Sequence, residues 1–400
     1  MTSLSSQKTN DHLKTTYQMK TDLQHILENP DTYIGSIENV ESAEYVYENG
    51  KIINQMIPIN PALFKLFDEG IVNCRDHVLR TSLKKKKGET NIIPVTQIKI
   101  TIQDNIITMY NNGNGIDIEK HPEYDIWIPE LIFGHLRTST NYNKNEKKIT
   151  GGKNGFGFKL VLIWSTYGCI ETVDHIRGLK YVQTFENNLT KINKPKITKT
   201  KIEPYTEISF KPDYERLGIS GLTQKMIQLF QRRVYDISGI TSKEVKVKYN
   251  NEMIKSKDFQ SYMQLYFHDQ NTKKIYEDIN ERWSIGIVLS DEYKQVSFVN
   301  GIYTSKGGKH VDYIINQITK KMIAYILKKK KVTVKPVAIK EQLFVFINST
   351  IENPAFDSQT KDYLNTPVSK FGSTCEVSDK IIDKLAKMGI MDTACALSEI

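Results

Sequence analysis

The 400-residue chain is 39% hydrophobic, 25% charged and 10% aromatic. That is enough apolar material for sizeable cores; it excludes a disordered polypeptide and, at roughly 150 residues per domain, points to two or three domains. Lys and Arg outnumber Asp and Glu by 55 to 46, a formal net charge of +9 that suits a polyanionic partner.

The four cysteines, Cys74, Cys169, Cys375 and Cys395, lie far apart with no Cys-x-x-Cys pair, so neither a zinc knuckle nor a disulfide framework is encoded. The start is polar, and no apolar run approaches the roughly 18 residues of a membrane span, so an intracellular chain without membrane contact is expected.

In chain order, residues 1–20 are polar and read as a flexible arm. The stretch 61–80 opens with Pro at a first helical position. Leu63, Phe67, Ile71, Cys74 and Val78 then recur at three- and four-residue spacing as one apolar helical stripe. Glu69 and Asn73, four apart, project together from another face, with Asp76 and His77 one turn further on. An amide oxygen can ligate a hard Mg²⁺ ion, and a carboxylate can orient or deprotonate a water. An ordinary amphipathic helix with a solvated polar face would carry the same pattern. Lys84 to Lys87 read as a solvated loop.

Residues 98–110 alternate β-branched side chains on both sides of Asp104-Asn105, which predicts a hairpin. It runs into Asn111-Asn112-Gly113-Asn114-Gly115-Ile116. There the glycines permit close approach to a flat ligand and an Asn offers a donor and an acceptor to a base edge, or the chain simply turns.

The run from Gly151 to Lys159 holds four glycines within seven residues ahead of a helix-like segment, 160–165. Successive N–H groups and a helix start make a phosphate cradle, with a ligand-free glycine hinge as the alternative. The Walker spacing fails because Phe158, not Lys, follows Gly157, and the dinucleotide-binding spacing fails as well.

Residues 217–235 read as a helix. Strands at 244–249, 283–289, 296–300 and 343–348 and helices at 310–331 and 379–388 form a second group, with a boundary near 256–258. After the last strand, a loop from Glu352 ends in Gln359-Thr360-Lys361, where a lysine can reach a terminal phosphate or merely be solvated. The closing residues, 397–400, carry no stop signal, which suggests a longer chain.

A helix bearing Glu and Asn, a Gly-x-Gly turn, a glycine-rich cradle and a distant lysine together describe a non-Walker ATPase. The wording resembles the GHKL ATPases, and within them the N-terminal ATPase region of eukaryotic-type type IIA DNA topoisomerases. The resemblance rests on seven motifs in order: NPDTYIGSIE (29–38), FDEGIVNCRDH (67–77), NNGNGI (111–116), PELIFGHLRTSTNY (129–142), TGGKNGFGFKL (150–160), FVNGIYTSKGGKHVDY (298–313) and IENPAFDSQTK (351–361). The last two separate the chain from chaperone, mismatch-repair and histidine-kinase relatives.

The resemblance implies an α+β architecture: a GHKL (Bergerat) sandwich of helices on an antiparallel sheet over 21–257, then a ribosomal-protein-S5-like transducer over 258–400. It implies ATP and Mg²⁺ as cofactors, Glu69 as general base and Asn73 as the Mg²⁺ ligand. Asn111 corresponds to the adenine reader, with Ser139, Thr140 and Asn141 near the ribose and phosphates. Gly152, Lys153, Asn154, Gly155, Phe156, Gly157, Phe158 and Lys159 correspond to a lid over the triphosphate. Gln359 and Lys361 would reach the γ-phosphate, and Tyr33 the partner subunit's nucleotide.

Two copies would then close as an ATP-operated homodimeric gate around double-stranded DNA. Lys328, Lys329, Lys330 and Lys331 sit where the family's transducer touches DNA. The cleavage residues of that family lie beyond this length. A nucleotide-gated GHKL chaperone or scaffold without DNA is the alternative. The address would be nuclear in a eukaryote, and host cytoplasm or virion for a large DNA virus. Arg75, His77 and Phe158 depart from the small or amide residues usual at their positions.

Overall fold

The computed structural model describes residues 10, 21–136, 148–152 and 157–399, so the expected arm lies outside the described residues except for Asn10. Two short helices, α1 (Asp22–Glu28) and α2 (Pro30–Tyr33), and a separate hairpin of β1 (Val40–Glu48) and β2 (Lys51–Ile59) lead into the long helix α3 (Pro61–Lys86). Asn60 caps α3 by accepting the Leu63 N–H at 3.0 Å, and Pro61 stands where its missing N–H costs nothing. The predicted apolar stripe is buried. The helix runs past Arg80, so Lys84, Lys85 and Lys86, expected in a loop, form its last turn, where the carbonyl end favours cations.

β3 (Gln97–Gln103) and β4 (Ile106–Asn112) make the predicted hairpin. Asp104 and Asn105 hold φ of 54° and 62°, the paired left-handed turn that matches strand twist and that Asp and Asn tolerate. With β5 (Ser165–Asp174), β6 (Leu179–Glu186), β7 (Lys191–Ile192), β8 (Lys196–Lys199), β9 (Tyr205–Pro212), β10 (Lys246–Tyr249) and β11 (Glu252–Met253) they build a nine-stranded sheet ordered β11-β10-β3-β4-β9-β5-β6-β7, β8 pairing with β6. β10 lies parallel to β3. This strand, grouped by sequence with the later ones, therefore joins the first sheet and makes it mixed rather than wholly antiparallel.

Helices α4 (Ile128–Gly134), α5 (Gly157–Ile163) and α6 (Gln224–Ile240) share a core with α3 and the sheet. Phe67 and Phe230 stack within it at 4.3 Å. α6 begins at Gln224, not Leu217, because 217–222 folds over the β3–β4 turn. There Leu222 N–H donates to Asn105 Oδ1 at 3.0 Å, and Thr223 then caps the helix.

The second layer is a sheet of β12 (Ile275–Asn280), β13 (Trp283–Leu289), β14 (Lys294–Val299), β15 (Ile302–Tyr303) and β16 (Leu343–Ser349), ordered β12-β13-β16-β14-β15. Helix α7 (Phe259–Gln264) joins one face of it to the first core through Val296, Phe298, Phe344 and Phe346. Helix α8 (Lys309–Lys330) covers the other face. It stops at Lys330 because Lys331 turns left-handed, φ 58°. The helix Asp379–Leu385 ends short of the expected Met388, in a wide turn where Gly389 holds φ 105°. Among the described residues no helix is long and apolar enough to cross a membrane.

Charges are buried where the layers meet. Arg232 pairs with Asp236 at 2.7 Å and donates to the Tyr45 carbonyl at 3.1 Å. Arg233 pairs with Asp68 of α3 at 2.6 Å and donates to the Gly301 carbonyl at 2.6 Å. Tyr262 of α7 donates to Asp236. Asp236→Ala would leave two buried guanidinium groups short of counter-charge. A loss of about 3–5 kcal/mol is expected in denaturant unfolding; a loss below about 1 kcal/mol would mean that Asp68 and the carbonyls alone hold both arginines.

Candidate active site

α3, α5 and the first sheet enclose, with a loop of the second layer, a cavity of about 680 Å³. Its inner part is apolar, walled by Met109 of β4, Ile208 of β9, Phe133 of α4 and Phe158 of α5. Gly70 of α3 packs so closely on the Met109 sulfur that a Cβ there would require the methionine side chain to shift. Asn111 and Thr206, opposite each other on β4 and β9, add polar edges to this slot. The other asparagines of the run are committed elsewhere. Asn112 Oδ1 accepts the Thr96 and Gln97 N–H groups, and Asn114 Oδ1 accepts the Ile93 N–H. An apolar slot with a few placed polar groups suits a flat heteroaromatic ring.

The outer part is charged. Glu69 Oε1 meets Lys65 Nζ at 2.7 Å, while Oε2 lies so close to Gly157 that a side chain there would displace the carboxylate. Burial alone would raise the Glu69 pKa; Lys65 and Lys361 outweigh it and hold the group below the ordinary glutamate value. The carboxylate is thus ionised at neutral pH and able to accept a proton. Lys361, in the loop after β16, donates from Nζ to the Gly151 carbonyl at 3.1 Å. Burial lowers its pKa, and Glu69 opposes that shift. Gln359 stands on the same wall.

Asp76 spans two successive amides: its Oδ1 and Oδ2 accept the Gly151 and Gly152 N–H groups at 2.8 and 2.9 Å. Burial raises its pKa against those two bonds and the nearby Arg80 and Arg75. A Cβ on Gly152 would lie 3.4 Å from Asp76 Oδ2 and 3.8 Å from Asn73 Oδ1, so both oxygens border this edge. Among the described residues no group of three His, Cys, Asp or Glu side chains could hold a metal. Asp76 is engaged by the glycine amides and Glu69 by Lys65. Asn73 Oδ1 is then a hard donor that fits a Mg²⁺ ion completing its shell with phosphate and water.

His77, one of the departures noted above, donates from Nε2 to the Asn114 carbonyl at 2.6 Å and accepts from Arg80 at Nδ1, 3.2 Å away. Burial, then Arg80, lower its pKa to about 4, so the wall carries a neutral ring of fixed tautomer.

Of the residues expected from sequence, Tyr33, Glu69, Asn73, Asn111, Gly152, Gly157, Phe158, Gln359 and Lys361 line this one cavity. Tyr33 lies on the wall of its own chain's cavity, 2.8 Å from His25 Nδ1. Lys159, expected in the lid, is turned into the interior and only 1% exposed. α5 starts at Gly157, and a helical step of roughly 100° sends Phe158 toward the cavity and Lys159 away from it. Burial lowers the Lys159 pKa to about 8. Ser139, Thr140, Asn141, Lys153, Asn154, Gly155 and Phe156 lie outside the described residues. Lys328, Lys329, Lys330 and Lys331 are exposed at the end of α8 and do not line the cavity. Asp76 and Thr206 had no assigned role; the three-residue step from Asn73 to Asp76 was the available signal for the first.

A family model described as DNA gyrase B matches residues 245–395. The chain is 44% identical over 405 residues to DNA topoisomerase 2 of Candida glabrata, a match over 96% of this chain and 28% of that protein. It thus spans under a third of the length of the curated relatives it matches. The solved ATPase region of Saccharomyces cerevisiae topoisomerase II superposes with a TM-score of 0.87 at 42% identity, over 96% of this chain and 99% of that one. The ATPase and transducer domains of DNA topoisomerase II from Balamuthia mandrillaris give 0.87 at 36% identity, over 96% and 98%. Motifs, two-layer architecture and near-complete coverage of a solved ATPase region agree: the chain belongs to the DNA topoisomerase II family and corresponds to its ATPase region, a GHKL α+β fold with its transducer.

Proposed function

We propose that this chain binds and hydrolyses ATP in the cavity and, paired with a second copy, forms the ATP-operated gate of a type IIA DNA topoisomerase. The meeting of Glu69 from α3 and Lys361 from the second layer at one cavity edge carries the reading. The unit 21–257 would hold the nucleotide, and 258–400 would act as the transducer that senses it. Asn111 would read the adenine edge while the apolar slot grips the ring. The start of α5, beside Gly152, would receive the phosphates, with Tyr33 and Gln359 closing the wall. A bound Mg²⁺, held by Asn73, would supply neutralising charge to the phosphates.

Glu69, already ionised, would orient the attacking water and take its proton. Lys361 would leave the Gly151 carbonyl for the γ-phosphate and stabilise the charge that develops there. Loss of that phosphate removes the lysine's partner and frees the second layer to reorient. Two copies closing in this way would capture a DNA duplex. The exposed Lys328 to Lys331 would contact phosphates without sequence preference and with strong salt dependence. Strand passage is proposed for the whole protein, at a nuclear or viral address according to source. A DNA-free chaperone role finds no support in relatives that carry the name DNA topoisomerase 2.

Glu69→Gln is expected to lower kcat by about 10²–10⁴ while a non-hydrolysable ATP analogue still binds within a few-fold, measured by steady-state turnover and calorimetry. Turnover within about tenfold of the parent would remove Glu69 from the role of base. Because the Glu69 pKa is lowered, the ionised form and its contribution to stability persist above the unfolded value and fade only as pH falls through the lower folded value. The kcat/KM–pH profile, which reports the groups of the free protein, should therefore stay flat down into the ordinary carboxylate range; a decline already near neutrality would contradict this. Lys361→Ala should reduce kcat/KM on the order of 10² and weaken analogue-driven dimerisation in sedimentation velocity. Wild-type values for both would overturn the sensor role.

A further inference from the structure

Gly152 borders the cavity, and the segment it ends, residues 148–152, is gripped from both layers. From α3, Asp76 takes the Gly151 and Gly152 amides. From the second layer, Lys361 takes the Gly151 carbonyl. A further grip comes from Asn353, whose backbone N–H donates to the Lys148 carbonyl at 2.9 Å while the Lys148 N–H donates to Asn353 Oδ1 at 3.0 Å. This reciprocal pair joins residues 205 positions apart.

Asn353 is itself anchored. Two residues earlier, the Ile351 N–H and carbonyl pair with the Asn300 side chain at 2.8 and 2.9 Å. Asn300 adjoins Gly301, whose carbonyl Arg233 holds. Asn353 adopts φ 46°, a left-handed conformation that Asn and Gly reach at low cost and most residues do not. It does not line the cavity.

We infer that Asn353 is a positioning residue of the nucleotide site, keeping residues 148–152 in register with the second layer while Lys361 is drawn off Gly151 toward the nucleotide. The inference rests on the reading of the cavity as an ATP site. Its physical basis is that the Lys361 bond is lost when that lysine turns to phosphate, whereas the Asn353–Lys148 pair involves no group that faces the ligand. Asp76 holds the glycine amides to α3; once Lys361 leaves, the Asn353 pair and the longer Asn300 bond to the Thr150 carbonyl, at 3.5 Å, are what keep the segment against the second layer.

Two variants test it. Asn353→Gly keeps the left-handed backbone and the bond to the Lys148 carbonyl but deletes Oδ1; Asn353→Asp restores an acceptor at that position. For Asn353→Gly, KM for ATP and Kd for a non-hydrolysable ATP analogue should rise about tenfold, equivalent to about 1.4 kcal/mol, with kcat within about twofold because Glu69 is untouched. Asn353→Asp should return both constants to within about threefold of the parent, the size of effect left when a hydrogen bond is kept.

A merely structural role would lower the melting temperature and leave KM and Kd of the folded protein unmoved. That result, or an Asn353→Asp variant as impaired as Asn353→Gly, overturns the proposal. Failure of the parent chain to bind the analogue would instead refute the ATP-site reading itself, so the two failures are distinguishable.

Discussion

One buried guanidinium, Arg233, ties together segments from α6, α3 and the β14–β15 turn. It reaches Asp68 on one side and the Gly301 carbonyl on the other, each at 2.6 Å. A charge withdrawn from water is tolerated only where its partners are in place, and removing one partner is far costlier than the pair is stabilising. The geometry of this junction is therefore enforced rather than merely allowed. Asp68 immediately precedes Glu69, so the guanidinium that reaches the second layer through the Gly301 carbonyl is also paired with the neighbour of the carboxylate.

Arg75 packs against Gly301, close enough that a Cβ would have to displace its side chain, and Gly301 holds φ 84°. Two arginines thus converge on one glycine. Burial draws the Arg75 pKa to about 10, with Asp76 opposing and Arg233 adding to the shift. Asp68 and Asp76, two turns apart on α3, offset the two cations. Asp76 at the same time holds the Gly151 and Gly152 amides, so the charge balance of the junction and the edge of the cavity depend on one helix.

Much of this was legible in the sequence because the relevant signals are local. The stripe from Leu63 to Val78, the left-handed Asp104-Asn105 turn and the spacing of Glu69 and Asn73 follow from helical and strand periodicity. The convergence of Lys361 on Glu69 was reached through the motifs and their order rather than through spacing. What failed to show was set by distant partners. Residues 217–222 carry two glycines, which already weaken a helix, and Asn105, more than a hundred positions away, takes the Leu222 N–H and holds them as a loop. β10 looks like any short strand until β3 claims it in parallel. Lys159 resembles a phosphate ligand until the start of α5 at Gly157 fixes which way it turns. Asn353 and Lys148 carry no sign of each other across the chain that separates them.

The bond from Lys361 to the Gly151 carbonyl bears on affinity as well as on position. The lysine already has an acceptor inside the protein, so under the proposed ATP reading an incoming anion would replace that acceptor rather than meet a waiting cation. Association at this point is an exchange of one hydrogen bond for another, and only the difference between them contributes to binding. Departure of the anion is correspondingly easy, since the carbonyl stands ready and no buried ammonium is stranded. On that reading, a site arranged in this way would give up ground-state tightness in return for reversibility.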